Sequence, residues 1–104
     1  KTLTLTMMIS LSASAIDAKE AGKLADAIYR AEGGRKARVP YGIESVRVSG
    51  HWEARRVCLN TIRNTERRWV ADGKPGQFID YLANRYCPYN SDVWAKNVRA
   101  ILKR

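Results

Sequence analysis

The sequence predicts a mainly α fold with one minimal β-hairpin, and three observations carry that prediction. Apolar residues recur at helical spacing in four separate segments, and the longest, 51–71, contains no glycine or proline. Extended alternation is confined to a short stretch near 43–48. With 104 residues, 45% of them apolar, there is material for a single small core, so one compact domain is expected.

The first fifteen residues, "KTLTLTMMISLSASA", differ in composition from the rest: one Lys, then no further charge, then small residues ending in Ala13-Ser14-Ala15. A basic start, a short apolar stretch and an A-x-A site are the parts of a secretory signal peptide. The alternative is an N-terminal strand or tail, suggested by Leu3 and Leu5 alternating with Thr. The stretch is too short to cross a membrane as a helix, which takes about 20 apolar residues. Residues 1–15 are therefore expected to be a leader cleaved after Ala15, with the folded domain at 16–104 in a periplasmic or secreted location.

Residues 17–32, "DAKEAGKLADAIYRAE", form the first expected helix. Asp17 can cap it, Glu20 stands at capping-box spacing, and Leu24, Ile28 and Ala31 give an apolar stripe. Gly33 and Gly34 end it. From 35 to 50, Pro40, two glycines and "YGIESVRV" suggest the irregular hairpin, with Ile43, Val46 and Val48 alternating among polar residues. In 51–71, Trp52, Cys58, Leu59, Ile62 and Trp69 are expected to form the core arc, flanked by a basic stripe of Arg56, Arg63 and Arg67. A third helix is expected at about 75–86, opened by Pro75 and closed by Cys87-Pro88, burying Phe78, Ile79, Leu82 and Tyr86. The last runs over about 91–103 with Val93, Trp94, Val98, Ile101 and Leu102 as its apolar set.

Nineteen Lys and Arg stand against ten Asp and Glu, a net charge of +9 that falls only to +8 when Lys1 leaves with the leader. A field of that sign attracts polyanions: nucleic acid, anionic lipid or an acidic cell-wall polymer. Export would let Cys58 and Cys87 pair as a disulfide, whereas in a reducing compartment they would be two buried thiols. One histidine and no CxxC give no metal signature, and no cofactor is expected.

Glu32 is the residue that needs a reason. Backbone carbonyls make a helix C-terminus negative and favour a cation there. Glu32 also lies at the edge of the apolar stripe, four residues after Ile28. Partial burial and the helix end both disfavour the ionised carboxylate, whereas Arg30, Arg35, Lys36 and Arg38 favour it. Two glycines immediately after it leave the space in front of the carboxyl open to a bulky substrate. The plain alternative is a frayed surface acid ahead of a C-cap glycine.

At "YRAEGG", 29–34, and "YGI", 41–43, the sequence resembles the catalytic segment of the lysozyme-like superfamily, in particular goose-type lysozymes and lytic transglycosylases. There a helix ends in Glu-Ser-Gly-Gly and a Gly-Leu-Met follows. Gly33 stands in place of that Ser, and no Met-Gln follows Gly42. The resemblance covers roughly residues 20–45. It implies a lysozyme-like helical domain in which Glu32 protonates a glycosidic oxygen, while Tyr41, Gly42 and Ile43 wall the sugar cleft. It further implies peptidoglycan glycan strands as partner, cleaved by a muramidase or, with a single Glu serving as acid and then base, by a lytic transglycosylase.

A two-carboxylate glycosidase needs a second acid about 5–9.5 Å from the first, and Glu44 and Glu53 are the nearest in sequence. Asn60 could offer an amide to an N-acetyl group, and Tyr86, Tyr89 and Trp94 could stack on sugar rings, although aromatics at helix ends more often pack in cores. Arg85 falls in an apolar arc, where it either extends its head to water or pairs with Glu32 or Glu66. The competing function is a non-catalytic basic module that binds cell wall or nucleic acid through Arg56, Arg63 and Arg67. Export disfavours nucleic acid, and a monomer is expected.

Overall fold

The computed structural model describes residues 16–43 and 48–104. Four helices lie among the described residues: α1 (Ala18–Ala31), α2 (His51–Ala71), α3 (Phe78–Tyr86) and α4 (Ser91–Leu102). Two 3-10 turns, Gly34–Lys36 and Pro40–Gly42, lie between α1 and α2. The mainly α expectation holds, but the hairpin expected within 35–50 is not seen: the two 3-10 turns occupy its first part, there is no strand among the described residues, and 44–47 lie outside them.

The start of α1 follows its sequence. The Asp17 carboxylate accepts from the Glu20 amide at 2.7 Å and the Glu20 carboxylate accepts from the Asp17 amide at 3.2 Å, a reciprocal box that satisfies two donors left over at a helix start. Its apolar stripe, Ala21, Leu24, Ala25 and Ile28, packs against α4 and α2. Helix α3 packs in turn on α4 and α2. Leu24, Ile28, Ile62, Leu82 and Val98 fill the centre, each worth about 1.5–3 kcal/mol when fully buried. Ala25, Ala54 and Ala95, all buried, keep bulk out of the helix contacts.

Two elements depart from expectation. Helix α3 begins at Phe78 rather than Pro75, because Lys74 and Gly76 take positive φ values of 56° and 65° and turn the chain out of helical geometry. Arg99 of α4 then ties down the new start, donating to Gln77 Oε1 at 2.6 Å and Asp80 Oδ2 at 2.7 Å. Trp52 is 77% exposed instead of buried. The buried spine of α2 is Ala54, Cys58, Ile62, Thr65 and Glu66, and at about 100° per residue Trp52 projects roughly a third of a turn away from it. None of the described helices is long and apolar enough to cross a membrane.

Candidate functional site

Glu32 closes α1. Its own amide still donates to Ile28 O at 2.9 Å, so the carboxyl side chain leaves the last turn in a fixed direction. Gly33 then takes φ 111°, and a Cβ there would press on Ala37 at 3.3 Å, so the break after the acid requires glycine.

The chain returns to the carboxyl through the Pro40–Gly42 turn. Tyr41 sits at φ 60°, a strained conformation for a residue with a side chain, and is held there by burial of its ring to 1% exposure. Its hydroxyl lies 3.2 Å from His51 Nε2 and accepts from Arg55 at 3.4 Å. Arg55 also pairs with Asp26 at 2.6 Å, and the Tyr41 hydroxyl first, then Asp26, favours the charged guanidinium. The consequence of this anchoring is at Gly42. At φ 67° its Cα faces Glu32 so closely that a Cβ would stand 2.6 Å from Cδ and 2.7 Å from Oε1.

The other carboxyl oxygen is held from the far end of the chain. Trp94 Nε1 donates to Glu32 Oε2 at 2.9 Å across 62 residues of sequence. The Trp94 ring is stacked on Tyr86, with centroids 5.1 Å apart and planes 15° apart, and the Tyr86 hydroxyl donates to Cys58 Sγ at 3.2 Å. One side chain from each of α2, α3 and α4 thus joins a chain of contacts that ends on Glu32, the cap of α1. Burial pushes the Cys58 thiol up to about 11 despite the Tyr86 hydrogen bond, and burial, then Cys58, also raises the Tyr86 phenol. Both remain neutral donors and acceptors at physiological pH.

Several expected site residues are placed differently. Tyr41 and Ile43 are 1% and 6% exposed, so their side chains belong to the core rather than to the wall of a cleft; only Gly42 of that trio reaches the carboxyl. Tyr86 supports Trp94 with its ring. Asn60 is exposed on α2, two residues from Cys58 and so on the opposite side of the helix from the Glu32 contact chain. Cys58 and Cys87 are free thiols and not the expected disulfide: Cys58 is buried with its sulfur engaged by Tyr86. Arg85 is exposed and pairs with neither Glu32 nor Glu66 among the described residues.

Of the second-carboxylate candidates, Glu44 lies outside the described residues. Glu53 is committed locally: it accepts from the Ser49 amide at 2.5 Å, which lowers its pKa, and lies 3.7 Å from Arg56. The basic stripe is likewise partly spoken for, since Arg63 donates to the Ile16 carbonyl at 2.5 Å and Arg67 to Asn64 at 2.9 Å. Trp94 as the partner of Glu32 was legible only as an aromatic near a helix start. No family model, curated protein or solved structure matches this chain.

Proposed function

We propose that the protein cleaves peptidoglycan glycan strands, as a lytic transglycosylase or muramidase of lysozyme-like type, with Glu32 as its general acid. The observation that supports this most directly is the setting of the Glu32 carboxyl. One oxygen is fixed by the Trp94 indole N–H at 2.9 Å. The other accepts no hydrogen bond from any described residue and lies against the Gly42 backbone, where a Cβ would stand 2.7 Å away. A carboxyl held in one orientation with one oxygen free is what proton delivery to a glycosidic oxygen requires. The leader segment, the resemblance at 29–34 and 41–43, and the net charge of +9 toward an anionic wall polymer agree with it.

In this reading Glu32 in its acid form protonates the glycosidic oxygen as the C1–O bond breaks. The resulting carboxylate then accepts a proton, either from the muramyl 6-hydroxyl as it closes a 1,6-anhydro ring or from a water that attacks C1. A single acid serving twice fits the engagement of Glu53 elsewhere.

The test is digestion of purified sacculi with wild type and Glu32→Gln, reading anhydro-muropeptides and new reducing ends. General acid catalysis contributes about 10²–10⁴ in rate, so the variant is expected to lose at least that factor while keeping its helical content. Equal rates for the two proteins, or no cleavage by the wild type at any pH, would leave the basic surface as the functional feature and wall binding without catalysis as the activity.

A further inference from the structure

We propose that Glu66 and Arg63 form a receiving site for the α-ammonium group of Ile16, created when the Ala15–Ile16 peptide bond is hydrolysed, so that processing locks the new N-terminus onto α2. The inference uses the leader reading of residues 1–15 and is independent of the glycosidase reading.

Glu66 is 7% exposed, on the buried spine of α2 beside Thr65. Among the described residues no Lys, Arg or His side chain lies within ion-pair distance of it. A buried carboxylate without a counter-charge is costly, and a single neutral N–H offsets only part of that cost. Its partner is the main-chain nitrogen of Ile16, 2.5 Å from Oε2 and fifty residues away in sequence. Arg63, one turn earlier on the same helix, donates to the Ile16 carbonyl at 2.5 Å, so nitrogen and carbonyl of one residue are both gripped by α2. The Ile16 side chain is half-buried against the core, which fixes the residue a third way.

This grip falls on the residue that follows Ala13-Ser14-Ala15, where an A-x-A site places the cut. Hydrolysis by a leader peptidase adds water across the amide: hydroxide goes to the Ala15 carbonyl, a proton goes to the Ile16 nitrogen, and the amine takes up one more proton at neutral pH. The same nitrogen then carries a positive charge where the buried carboxylate lacks one. The folded state raises the α-amino pKa above its ordinary 7.7–8.0 or so. The added stability is therefore fully present below about pH 7.7 and is lost as pH rises through the raised folded value.

The experiment starts from the full chain with residues 12–15 replaced by Ile-Glu-Gly-Arg, so that a site-specific endopeptidase frees Ile16 without residual residues. Thermal unfolding of the uncut and cut forms is followed from about pH 6 to about pH 10, spanning the ordinary α-amino range. The cut form is expected to melt at least about 4 °C higher at the acid end, with the gain fading toward the alkaline end. Glu66→Gln should abolish the gain, and so should acetylation of the freed α-amino group in the otherwise unchanged chain; the acetylated form decides the matter if Glu66→Gln does not fold. Equal melting of cut and uncut chains at every pH, or a gain that survives acetylation, would overturn the proposal.

Discussion

Replacing Gly42 with alanine tests whether the turn at 40–42 is shaped around the Glu32 carboxyl. The new Cβ would meet Cδ at 2.6 Å, Oε1 at 2.7 Å and Oε2 at 3.0 Å, whereas carbon atoms in contact normally stand about 3.5–4.0 Å apart. Something has to move by about 1 Å. The obstacle is the far end of a flexible side chain, so the carboxyl moves before the backbone does, and the 2.9 Å bond from Trp94 is lost or bent. Gly42 also has φ 67°, where a residue with a Cβ costs roughly 1–2 kcal/mol.

Gly76 separates the two effects. It has φ 65°, and a Cβ there meets nothing within 4 Å. Gly76→Ala should therefore show the backbone cost alone, about 1–2 kcal/mol, or a drop of roughly 4–16 °C in Tm for a domain of this size. Gly42→Ala should lose a comparable amount of stability plus a carboxyl misplaced by about 1 Å, a displacement that can cost about 10² in rate. The assays are urea unfolding and cleavage of purified glycan strands at a temperature where both variants are folded. If Gly42→Ala cleaves as fast as Gly76→Ala, the carboxyl position carries no function and the argument from the turn fails.

Two further outcomes follow from the same contacts. Trp94→Phe keeps the ring stacked on Tyr86 but removes the donor to Glu32, so it should cost about 1.5–3 kcal/mol and lower glycan cleavage more than glycan binding; unchanged stability in urea would show that the bond is not formed in solution. Cys58→Ser keeps an acceptor for Tyr86 but removes a thiol that burial holds protonated up to about 11. Because the folded value is raised, the thiol's contribution is fully present below its unfolded pKa of about 8.5 and is lost as pH rises toward 11. Wild type should therefore lose stability more steeply than Cys58→Ser across that interval, and parallel profiles would contradict the assignment.

What could be read from the sequence is what short spacing encodes. The Asp17–Glu20 box, the α1 stripe and the uninterrupted run of α2 all depend on residues three or four apart. The core position expected for Trp52 failed because an apolar residue at the edge of a helical arc can face either way, and the spine was set by Thr65 and Glu66, polar residues no hydrophobic pattern would select. The start of α3 was missed because Lys74 at positive φ has no sequence signature. The contacts that define Glu32 and Glu66 span 62 and 50 residues, beyond the reach of any local rule.

Glu32 and Glu66 both violate a local preference, and the contrast between them indicates which is suited to chemistry. An acid at a helix C-terminus and a carboxylate on a buried helix spine each cost stability on local grounds, and such conflicts are expected where other demands outweigh them. Glu66 is nearly closed off from water, and its Oε2 is matched by a main-chain nitrogen that Arg63 helps to place. Glu32 is half-buried, with one oxygen fixed by Trp94, one without a described donor, and the Gly42 backbone packed against its carboxyl. The first arrangement commits one oxygen of a nearly enclosed carboxylate to holding the chain together. The second is the more accessible of the two and keeps an oxygen without a described donor, and on that ground we propose a glycosidic oxygen as the partner of Glu32 and an N-terminus as the partner of Glu66.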